Sequence, residues 1–211
     1  AGLAALFFRY WSKGPYLLTD QSGDSDEFLR KRTWFWDFYY KRIYRRPKYT
    51  QVISKYLGRR SRQIGNKGEI FLVPNGVDLE IFKPKMSAEE QNELKKSLGI
   101  DENELVLITT SRLAMKNGLD DLIKAMNFLI YKSGVPAVLL ILGKGPDENK
   151  LKDLAINMSV GEHVLFLGYK DAKELPRYLE MADIFIRPSL SEGLGNSFLE
   201  AMAVGTPIIG T

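Results

Sequence analysis

The feature that most constrains the fold of this chain is a regular alternation of short apolar runs with longer helical patterns. Eight runs rich in Val, Ile and Leu show little polar alternation, which is typical of strands buried on both faces. These candidate strands are Tyr16–Thr19, Thr50–Ser54, Ile70–Val73, Leu105–Thr110, Ala137–Leu142, Val164–Leu167, Ile184–Arg187 and Pro207–Ile209. The candidate helices between them are Asp26–Arg46, Ser87–Leu98, Leu119–Lys132, Asp147–Met158, Ala172–Met181 and Ser197–Val204. This order predicts an α/β fold in which helices cover parallel sheets.

The length of 211 residues suits one domain or two small ones. Turn signals gather between Pro74 and Pro84, so we place a domain boundary there and predict domains 1–80 and 81–211. The chain has no Cys and one His, which excludes disulfides, thiolate metal sites and His-pair zinc motifs. No apolar run reaches the roughly 18 residues of a spanning helix. The chain starts at Ala1 rather than Met, and we expect a piece of something longer.

The charge is concentrated in residues 29–62, which hold twelve basic residues and one acid, Asp37. Between the basic clusters lie the aromatic residues Trp34, Phe35, Trp36, Phe38, Tyr39, Tyr40 and Tyr44. One interpretation is a two-faced helix with its rings in the core and its charges in water. A second is a helix in the interface of an anionic membrane, and a third is RNA binding by stacking and phosphate contact. All three stay open at this point.

In open α/β sheets, ligands bind where the carboxyl ends of strands lead into helices. After Leu105–Thr110, Arg112 and Lys116 stand at the start of a helix, where the dipole favours anions over cations. A bound phosphate would offset this arrangement, although pairing with surface acids is the simpler alternative. After Ala137–Leu142, the run Gly143-Lys144-Gly145 is neither a Walker loop nor G-x-G-x-x-G, and we interpret it as an ordinary turn.

After Ile184–Arg187, a glycine-rich loop carries Glu192 and leads to Glu200, eight positions later. Backbone N–H groups near Gly195–Ser197 suit a phosphate or sugar oxygen. The two carboxylates can accept hydrogen bonds from paired hydroxyls, as on a sugar or a ribose. The alternatives are that Ser197-x-x-Glu200 is a capping box and that Glu192 is a solvated loop acid.

These segments resemble the motifs of the large retaining family-four (group 1) glycosyltransferases. The stretch from Ala182 through Glu192 to Ala203 is similar to the E-x7-E signature of that family. Ser111-Arg112-Leu113 with Lys116-Asn117-Gly118 resembles its Gly-Arg-Leu…Lys-Gly phosphate loop. Upstream, Pro74–Asp78 with Phe82 and Val52–Tyr56 resemble two further segments of the family, in the same order.

The resemblance implies the GT-B architecture, two Rossmann-like domains facing across a cleft, here with the first domain partial and the second lacking its end. It implies a hexosyltransferase that uses a nucleotide-sugar donor and a glycan or lipid-linked acceptor, with retention of anomeric configuration. No cofactor or metal ion is then expected, because the nucleotide-sugar is a substrate and basic side chains stabilise the leaving group. We expect the piece itself to be inactive alone.

The resemblance also implies roles for residues. Arg112 and Lys116 would hold the pyrophosphate, Glu192 would contact the transferred sugar, and Glu200 would bind the ribose. The remaining implied donor contacts are Gly168, Tyr169, Leu194, Gly195, Asn196 and Ser197. Where the family often has His-Gly, this chain has Gln21-Ser22, and we take Gln21 and Asp24 as candidate sugar or acceptor contacts.

The implied location is the cytoplasm, peripheral to the inner face of the plasma membrane, with segment 29–62 on anionic lipid and no nucleic-acid partner. Two alternatives remain open. One is a nucleotide-sugar epimerase of the same fold, against which the Glu192 and Glu200 pair argues. The other is a non-catalytic nucleotide-binding fragment.

Overall fold

The computed structural model describes residues 2–24, 29, 31 and 34–211. The chain divides into two units, Ala1–Asn75 with Ser191–Gly195, and Gly76–Leu190 with Asn196–Thr211. The division after Asn75 lies in the turn-rich region where the sequence predicts a boundary. The pattern does not predict that Ser191–Gly195 groups with the first unit.

The first unit contains a three-stranded parallel sheet in the order β1-β2-β3. Its elements are α1 (Gly2–Ser12), β1 (Leu17–Asp20), a 3-10 turn (Trp34–Trp36), α2 (Asp37–Arg45), β2 (Tyr49–Val52), α3 (Lys55–Ile64) and β3 (Glu69–Leu72). The core under this sheet is small and is centred on Val52, Ile53 and Leu57.

Helix α3 follows β2 at once because Ser54 caps it. The Ser54 side chain accepts a hydrogen bond from the N–H of Leu57, and Gly65 ends the helix with a φ of 101°. The predicted strand Thr50–Ser54 therefore runs two residues too far. Neither α1 nor α3 is among the predicted helices.

The predicted helix Asp26–Arg46 is wrong as one continuous element over the part that can be compared. Residues 26–28, 30, 32 and 33 of this range lie outside the described residues. From Trp34 onward, a 3-10 turn precedes the nine-residue α2. Three consecutive bulky rings fit this break, since aromatic residues lose side-chain freedom in an α-helix.

The second unit contains a five-stranded sheet in the order β6-β5-β4-β7-β8, with every pairing parallel. Its elements are α4 (Ala88–Ser97), β4 (Leu105–Thr110), a 3-10 turn (Met115–Asn117), α5 (Leu119–Tyr131), β5 (Ala137–Leu142), α6 (Glu148–Asn157), a 3-10 turn (Gly161–His163), β6 (Val164–Gly168), α7 (Leu175–Met181), β7 (Ile184–Arg187), α8 (Asn196–Ala203) and β8 (Ile208–Gly210). All six residues of β5 are buried, as the continuous apolar run predicts.

Two predicted helix starts have different outcomes. At α4 the capping box is confirmed, because Ser87 and Glu90 each bond the other's backbone N–H. At α8 the capping box Ser197-x-x-Glu200 is wrong, because the helix already begins at Asn196. The Ser197 hydroxyl instead accepts a hydrogen bond from Arg187. This removes the structural alternative that competed with a binding role for Glu200.

Candidate functional site

The carboxyl ends of β4 to β7 meet at one edge of the second unit's sheet, and the loop that follows β4 contains Arg112 and Lys116. Asn117 holds this loop closed. Its side chain is 1% exposed and donates from Nδ2 to the carbonyl of Arg112. Gly118 then turns the chain into α5 with a φ of 64°, and a Cβ there would lie 2.0 Å from the carbonyl oxygen of Pro188. Both basic side chains are exposed, so the loop presents two cations on a fixed backbone.

The structure weakens the argument that a phosphate must compensate the dipole of α5. Asp120 and Asp121 occupy the first turn of that helix, where their negative charge is favourable. Lys124 pairs with both carboxylates, at 3.2 and 2.9 Å. A phosphate site at Arg112 therefore depends on the local pocket and not on the helix dipole.

The loop after β5 is packed against the loop after β4 by backbone contact. Gly143 has a φ of 141°, and a Cβ there would lie 1.9 Å from the carbonyl oxygen of Ser111. A hydrogen bond from the N–H of Leu113 to the carbonyl of Lys144, at 3.1 Å, joins the two loops. Gly143 thus allows two chain segments to approach closely. The segment is therefore more than the ordinary turn that we predict.

A pocket of about 350 Å³ opens at this edge of the sheet. Its lining residues are Thr110, Ser111, Arg112, Leu142, Gly143, Lys144, Tyr169, Lys170 and Leu175. Three are basic, and no acid is among the described residues that line it. The hydroxyls of Thr110 and Ser111 are buried and have no hydrogen-bond partner in the described part of the chain. A cationic pocket with unsatisfied hydroxyls suits an anionic, polar ligand, and its volume lies in the range of small-molecule sites.

Arg187, at the carboxyl end of β7, joins three elements of the site. It donates from Nη1 to Ser197 Oγ at 2.6 Å and from Nε to Ser189 Oγ at 3.0 Å. Its Nη2 lies 3.5 Å from Oδ1 of Asn117, the residue that closes the β4 loop. Burial raises the pKa of the half-buried Glu200 carboxyl, and the charge of Arg187 acts to lower it. Arg187 thus holds the first turn of α8 beside the β4 loop.

Glu192 belongs to the segment Ser191–Gly195 and lies with the first unit, next to the loop after β1. Ser191 Oγ donates to the carbonyl of Gly23 at 2.9 Å. Oε1 of Glu192 is 2.9 Å from the place that a Cβ on Gly23 would take. The predicted sugar contacts Glu192, Gln21 and Asp24 therefore belong to one unit.

The loop after β1 is also bonded to a buried polar cluster at the end of that strand. Asp20 Oδ2 accepts a hydrogen bond from Tyr44 at 3.0 Å and lies 3.8 Å from Nη2 of Arg60. Asp20 Oδ1 accepts from the N–H of Ser22 at 3.2 Å, and Arg60 donates to the carbonyl of Asp24 at 3.1 Å. Sequence reasoning missed this cluster because its members are separated by whole elements.

Of the predicted site residues, the pocket contains Arg112 and Tyr169, while Gly168 accepts from the N–H of Gly143 at 2.8 Å beside it. Lys116, Glu200 and the predicted Leu194–Ser197 contacts do not line it. Sequence reasoning missed Lys144, Lys170 and Arg187. The available signal was their position, since each basic residue ends a strand or follows one closely. In the described part of the chain, no group of three or more potential metal ligands is present.

Solved structures establish the fold. HepE of Anabaena, solved with UDP and glucose, covers 100% of this chain and 57% of its own, with a TM-score of 0.80 and 19% identity. Sucrose-phosphate synthase from Thermosynechococcus elongatus covers 99% of this chain and 53% of its own, with a TM-score of 0.81 and 24% identity. These neighbours have the GT-B fold, and this chain has the same α/β class.

Sequence comparison gives the family. The model of the group 1 glycosyl transferases matches residues 90–211, more than half of the chain. The chain therefore belongs to the group 1 glycosyl transferases. The alpha-monoglucosyldiacylglycerol synthase of Acholeplasma laidlawii is 31% identical over 76% of this chain. A GDP-mannose-dependent monoacylated alpha-(1-6)-phosphatidylinositol monomannoside mannosyltransferase of Corynebacterium glutamicum is 36% identical over 74% of it. The aligned regions span 40% and 42% of those relatives.

Proposed function

We propose that the protein transfers a hexose from a nucleotide-sugar to a lipid-linked or glycan acceptor, with retention of anomeric configuration. The observation that carries this proposal is the cationic pocket with Arg112, Lys144 and Lys170 on its wall and the unpartnered hydroxyls of Thr110 and Ser111 within it. A nucleoside diphosphate supplies both the negative charge and the acceptors that such a pocket lacks. Family membership supports the same reaction class.

In this proposal the basic side chains stabilise the leaving group. As the bond from the sugar to the diphosphate breaks, negative charge grows on the phosphate oxygens. Arg112 and Lys116, on the rigid loop closed by Asn117, offset that charge where a metal ion would otherwise be used. The acceptor hydroxyl passes its proton to the leaving phosphate, so no enzyme carboxylate serves as nucleophile. Glu200 binds the ribose hydroxyls, and Glu192 orients the transferred sugar.

The acceptor side is proposed from the relatives. The synthase of Acholeplasma laidlawii and the mannosyltransferase of Corynebacterium glutamicum are named for lipid products or acceptors. On this basis we propose that the protein is a peripheral enzyme at the inner face of the plasma membrane. No described helix is long and apolar enough to cross a bilayer.

The test uses the protein with any sequence that flanks this chain in its gene. A thermal-shift panel of nucleoside diphosphates and their sugars identifies the donor, since a ligand that binds the folded state raises stability by RT ln(1 + [L]/Kd). The donor is then offered with diacylglycerol or phosphatidylinositol, and transfer of labelled sugar is measured. We expect Arg112→Ala or Lys116→Ala to lower kcat/KM by about 10²–10³.

The matched control is Lys132→Ala, which removes an exposed lysine at the end of α5 and leaves the loop intact. Undiminished turnover in the Arg112 and Lys116 variants would overturn the proposed roles. Formation of an epimer from donor alone would indicate an isomerase. Donor binding with no product would indicate a binding module.

A further inference from the structure

Arg187 has no role in the proposed function, although its half-buried guanidinium connects three segments at one edge of the second unit's sheet. It donates to Ser189 in the loop after β7 and to Ser197 in the first turn of α8, and it approaches Asn117 in the turn after β4. These three partners are buried, at 7%, 6% and 1% exposed. Because a guanidinium carries its donors in one rigid plane, it fixes the positions of its acceptors relative to one another.

Asn117 connects Arg187 to the loop that carries Arg112. A side-chain amide can take two orientations of almost the same shape, which exchange its oxygen and its nitrogen. In the structure, Oδ1 of Asn117 faces Nη2 of Arg187 at 3.5 Å, and Nδ2 donates to the carbonyl of Arg112. Reversing the amide would bring donors together at Arg187 and two oxygens together at Arg112. Arg187 therefore selects the orientation in which Asn117 closes the β4 loop.

Ser197 connects Arg187 to the helix that carries Glu200. Nη1 of Arg187 donates to Ser197 Oγ at 2.6 Å, a short charge-assisted hydrogen bond. Glu200 is three residues further along α8, so it lies on the same face of the helix as Ser197. Burial raises the pKa of the Glu200 carboxyl, and the charge of Arg187 acts to lower it. Arg187 thus favours the ionised form, in which both carboxyl oxygens accept hydrogen bonds from hydroxyl groups.

Backbone contacts hold the same segments together independently of the guanidinium. The N–H of Leu190 donates to the carbonyl of Lys116 at 2.8 Å. A Cβ on Gly118 would lie 2.0 Å from the carbonyl oxygen of Pro188. The packing of this edge therefore does not depend on Arg187 alone, whereas the orientation of the Asn117 amide and the charge beside Glu200 do. Arg187 itself does not line the pocket of about 350 Å³, which favours an action through its neighbours.

We propose that Arg187 is a positioning residue that couples the two halves of the donor site. Its planar fork fixes the loop that carries Arg112 for the diphosphate, and its charge keeps Glu200 ionised for the ribose. The inference rests on the proposed function for the nature of the ligand, and it goes beyond that function by adding the residue that joins the two contacts. Loss of Arg187 should therefore weaken both contacts at once.

The experiment measures ligand binding by isothermal titration calorimetry on the protein with any sequence that flanks this chain in its gene. UDP, GDP, ADP and CDP are titrated first, and the one that binds most tightly is kept. Its dideoxy analogue lacks both ribose hydroxyls, and its monophosphate lacks the outer phosphate. The Kd of each analogue, divided by the Kd of the diphosphate, gives a ribose ratio and a phosphate ratio, which report the two contacts separately.

Arg187→Met keeps an unbranched side chain but removes the charge and the donors. We expect it to lower both ratios about tenfold, the effect of losing one hydrogen bond to a charged group. Arg187→Lys keeps the charge without the planar fork, so it should lower the phosphate ratio about tenfold and retain the ribose ratio within about threefold. A general loss of stability would weaken the binding of all three ligands together and leave both ratios unchanged.

The matched control is Arg177→Met, since Arg177 is an exposed arginine of α7 that lines a different pocket. Both ratios should stay as in the unaltered protein. Circular dichroism checks folding. Should Arg187→Met not fold, Arg187→Lys tests the proposal by itself, because a reduced phosphate ratio with a retained ribose ratio is specific to loss of the fork.

The outcomes separate this proposal from the proposed function. If the unaltered protein binds no diphosphate, the proposed function fails and the role of Arg187 fails with it. If a diphosphate binds and Arg187→Met leaves both ratios unchanged, only the role of Arg187 is overturned. That role is also overturned by a ribose ratio near one in the unaltered protein, by an Arg187→Lys variant that matches either the Met variant or the unaltered protein in both ratios, or by reduced ratios in Arg177→Met.

Discussion

At the scale of single residues, the half-buried carboxyl of Glu200, for which we propose a ribose-binding role, affects stability in a pH-dependent way. Burial raises the pKa of its carboxyl, so the folded chain holds this proton to a higher pH than the unfolded chain does. The associated stability is fully present below the unfolded pKa of about 4.3 and is lost as the pH rises through the higher folded pKa. An ionised Glu200 is therefore retained at a cost to folding, as expected for a group that binds a ligand.

We expect Glu200→Gln to unfold at a higher urea concentration than the unaltered protein at pH 7, because Gln carries no charge to bury. The difference should close as the pH falls below about 4, where the carboxyl is neutral in both states. Glu93→Gln, an exposed change in α4, serves as the control and should show no such convergence. A Glu200→Gln variant that is less stable at pH 7 would mean that the attraction between the Glu200 carboxylate and Arg187 outweighs the cost of burying its charge.

A comparison of Gly118 with Gly99 distinguishes the effect of backbone strain from that of steric crowding. Gly118 shares a left-handed φ with Gly99, at 64° and 72°, but only Gly118 faces another chain segment, the carbonyl of Pro188. Ala at Gly99 has open space around its Cβ. We therefore expect Gly118→Ala to cost about 1–3 kcal/mol more free energy of unfolding than Gly99→Ala, because overpacking is added to the same strain. Urea midpoints measure this, and equal midpoints would show that the β4 loop can move away freely.

At the scale of elements, the strands are predictable and the functional contacts between elements are not. All eight predicted strands are present, with bounds that shift by two residues or fewer. Burial of a continuous apolar run explains β5, whereas three of the four residues of β3 and all three of β8 are exposed. The sequence does not predict helix α3, because Gly58 and several basic residues obscure its helical pattern. Ser54 is nevertheless a typical N-cap residue. From the sequence, Arg187 is only the last residue of a predicted strand. The structure shows that its side chain contacts Ser197 and Asn117.

For the candidate site too, the sequence predicts residues within single elements better than contacts between elements. Arg112, Glu192 and Glu200 follow strands at positions where parallel sheets bind ligands, so the sequence predicts them as candidates, and of the three only Arg112 lines the pocket. Lys144 and Lys170 lie on the same pocket, but a lysine between two glycines resembles any turn. Their role depends on which loops fold back on the pocket, and this is decided by backbone contacts such as that of Gly143 with Ser111.

The cluster of Asp20, Tyr44 and Arg60 joins β1 to α2 and α3. Burial, and then the charge of Asp20, raises the pKa of Tyr44. Burial acts to lower the pKa of Arg60, but Asp20 and the nearby tyrosines raise it above its ordinary value. Arg60 thus stays charged and Tyr44 stays a donor, so Asp20 has a cation and a hydroxyl facing it inside the protein.

We expect Asp20→Asn to lower the free energy of unfolding by about 3 kcal/mol or more, because it leaves the charge of Arg60 buried without its carboxylate. Asp37→Asn is the matched control, since Asp37 is closer to its partner Lys41, at 2.7 Å, but that pair is about half exposed. Its loss should stay within about 1 kcal/mol. Chemical denaturation measures both, and equal losses would show that the buried pair is relaxed by water.

At the scale of the whole molecule, the two units have cores of very different size. The first unit has three fully buried apolar residues at its centre, Val52, Ile53 and Leu57. The second unit has two large clusters, one on each face of its sheet. Successive residues of β4 and β5 belong alternately to one cluster and to the other. Stability scales with the apolar area removed from water, so the second unit should be the more stable part of this chain.

Strands β2 and β5 allow a matched comparison, because each is hydrogen-bonded to a parallel neighbour on both sides. Both strands are therefore central in their sheets, and their burial differs. We expect the amides of β5 to exchange with deuterium at least about tenfold more slowly than those of β2, since local opening of the small core needs less free energy. A nucleoside diphosphate should slow exchange further in the loops after β4 and β5, where Arg112 and Lys144 lie. Equal protection of β2 and β5 would mean that the two units open in one cooperative step, and the core of the first unit would then draw its stability from the rest of the chain.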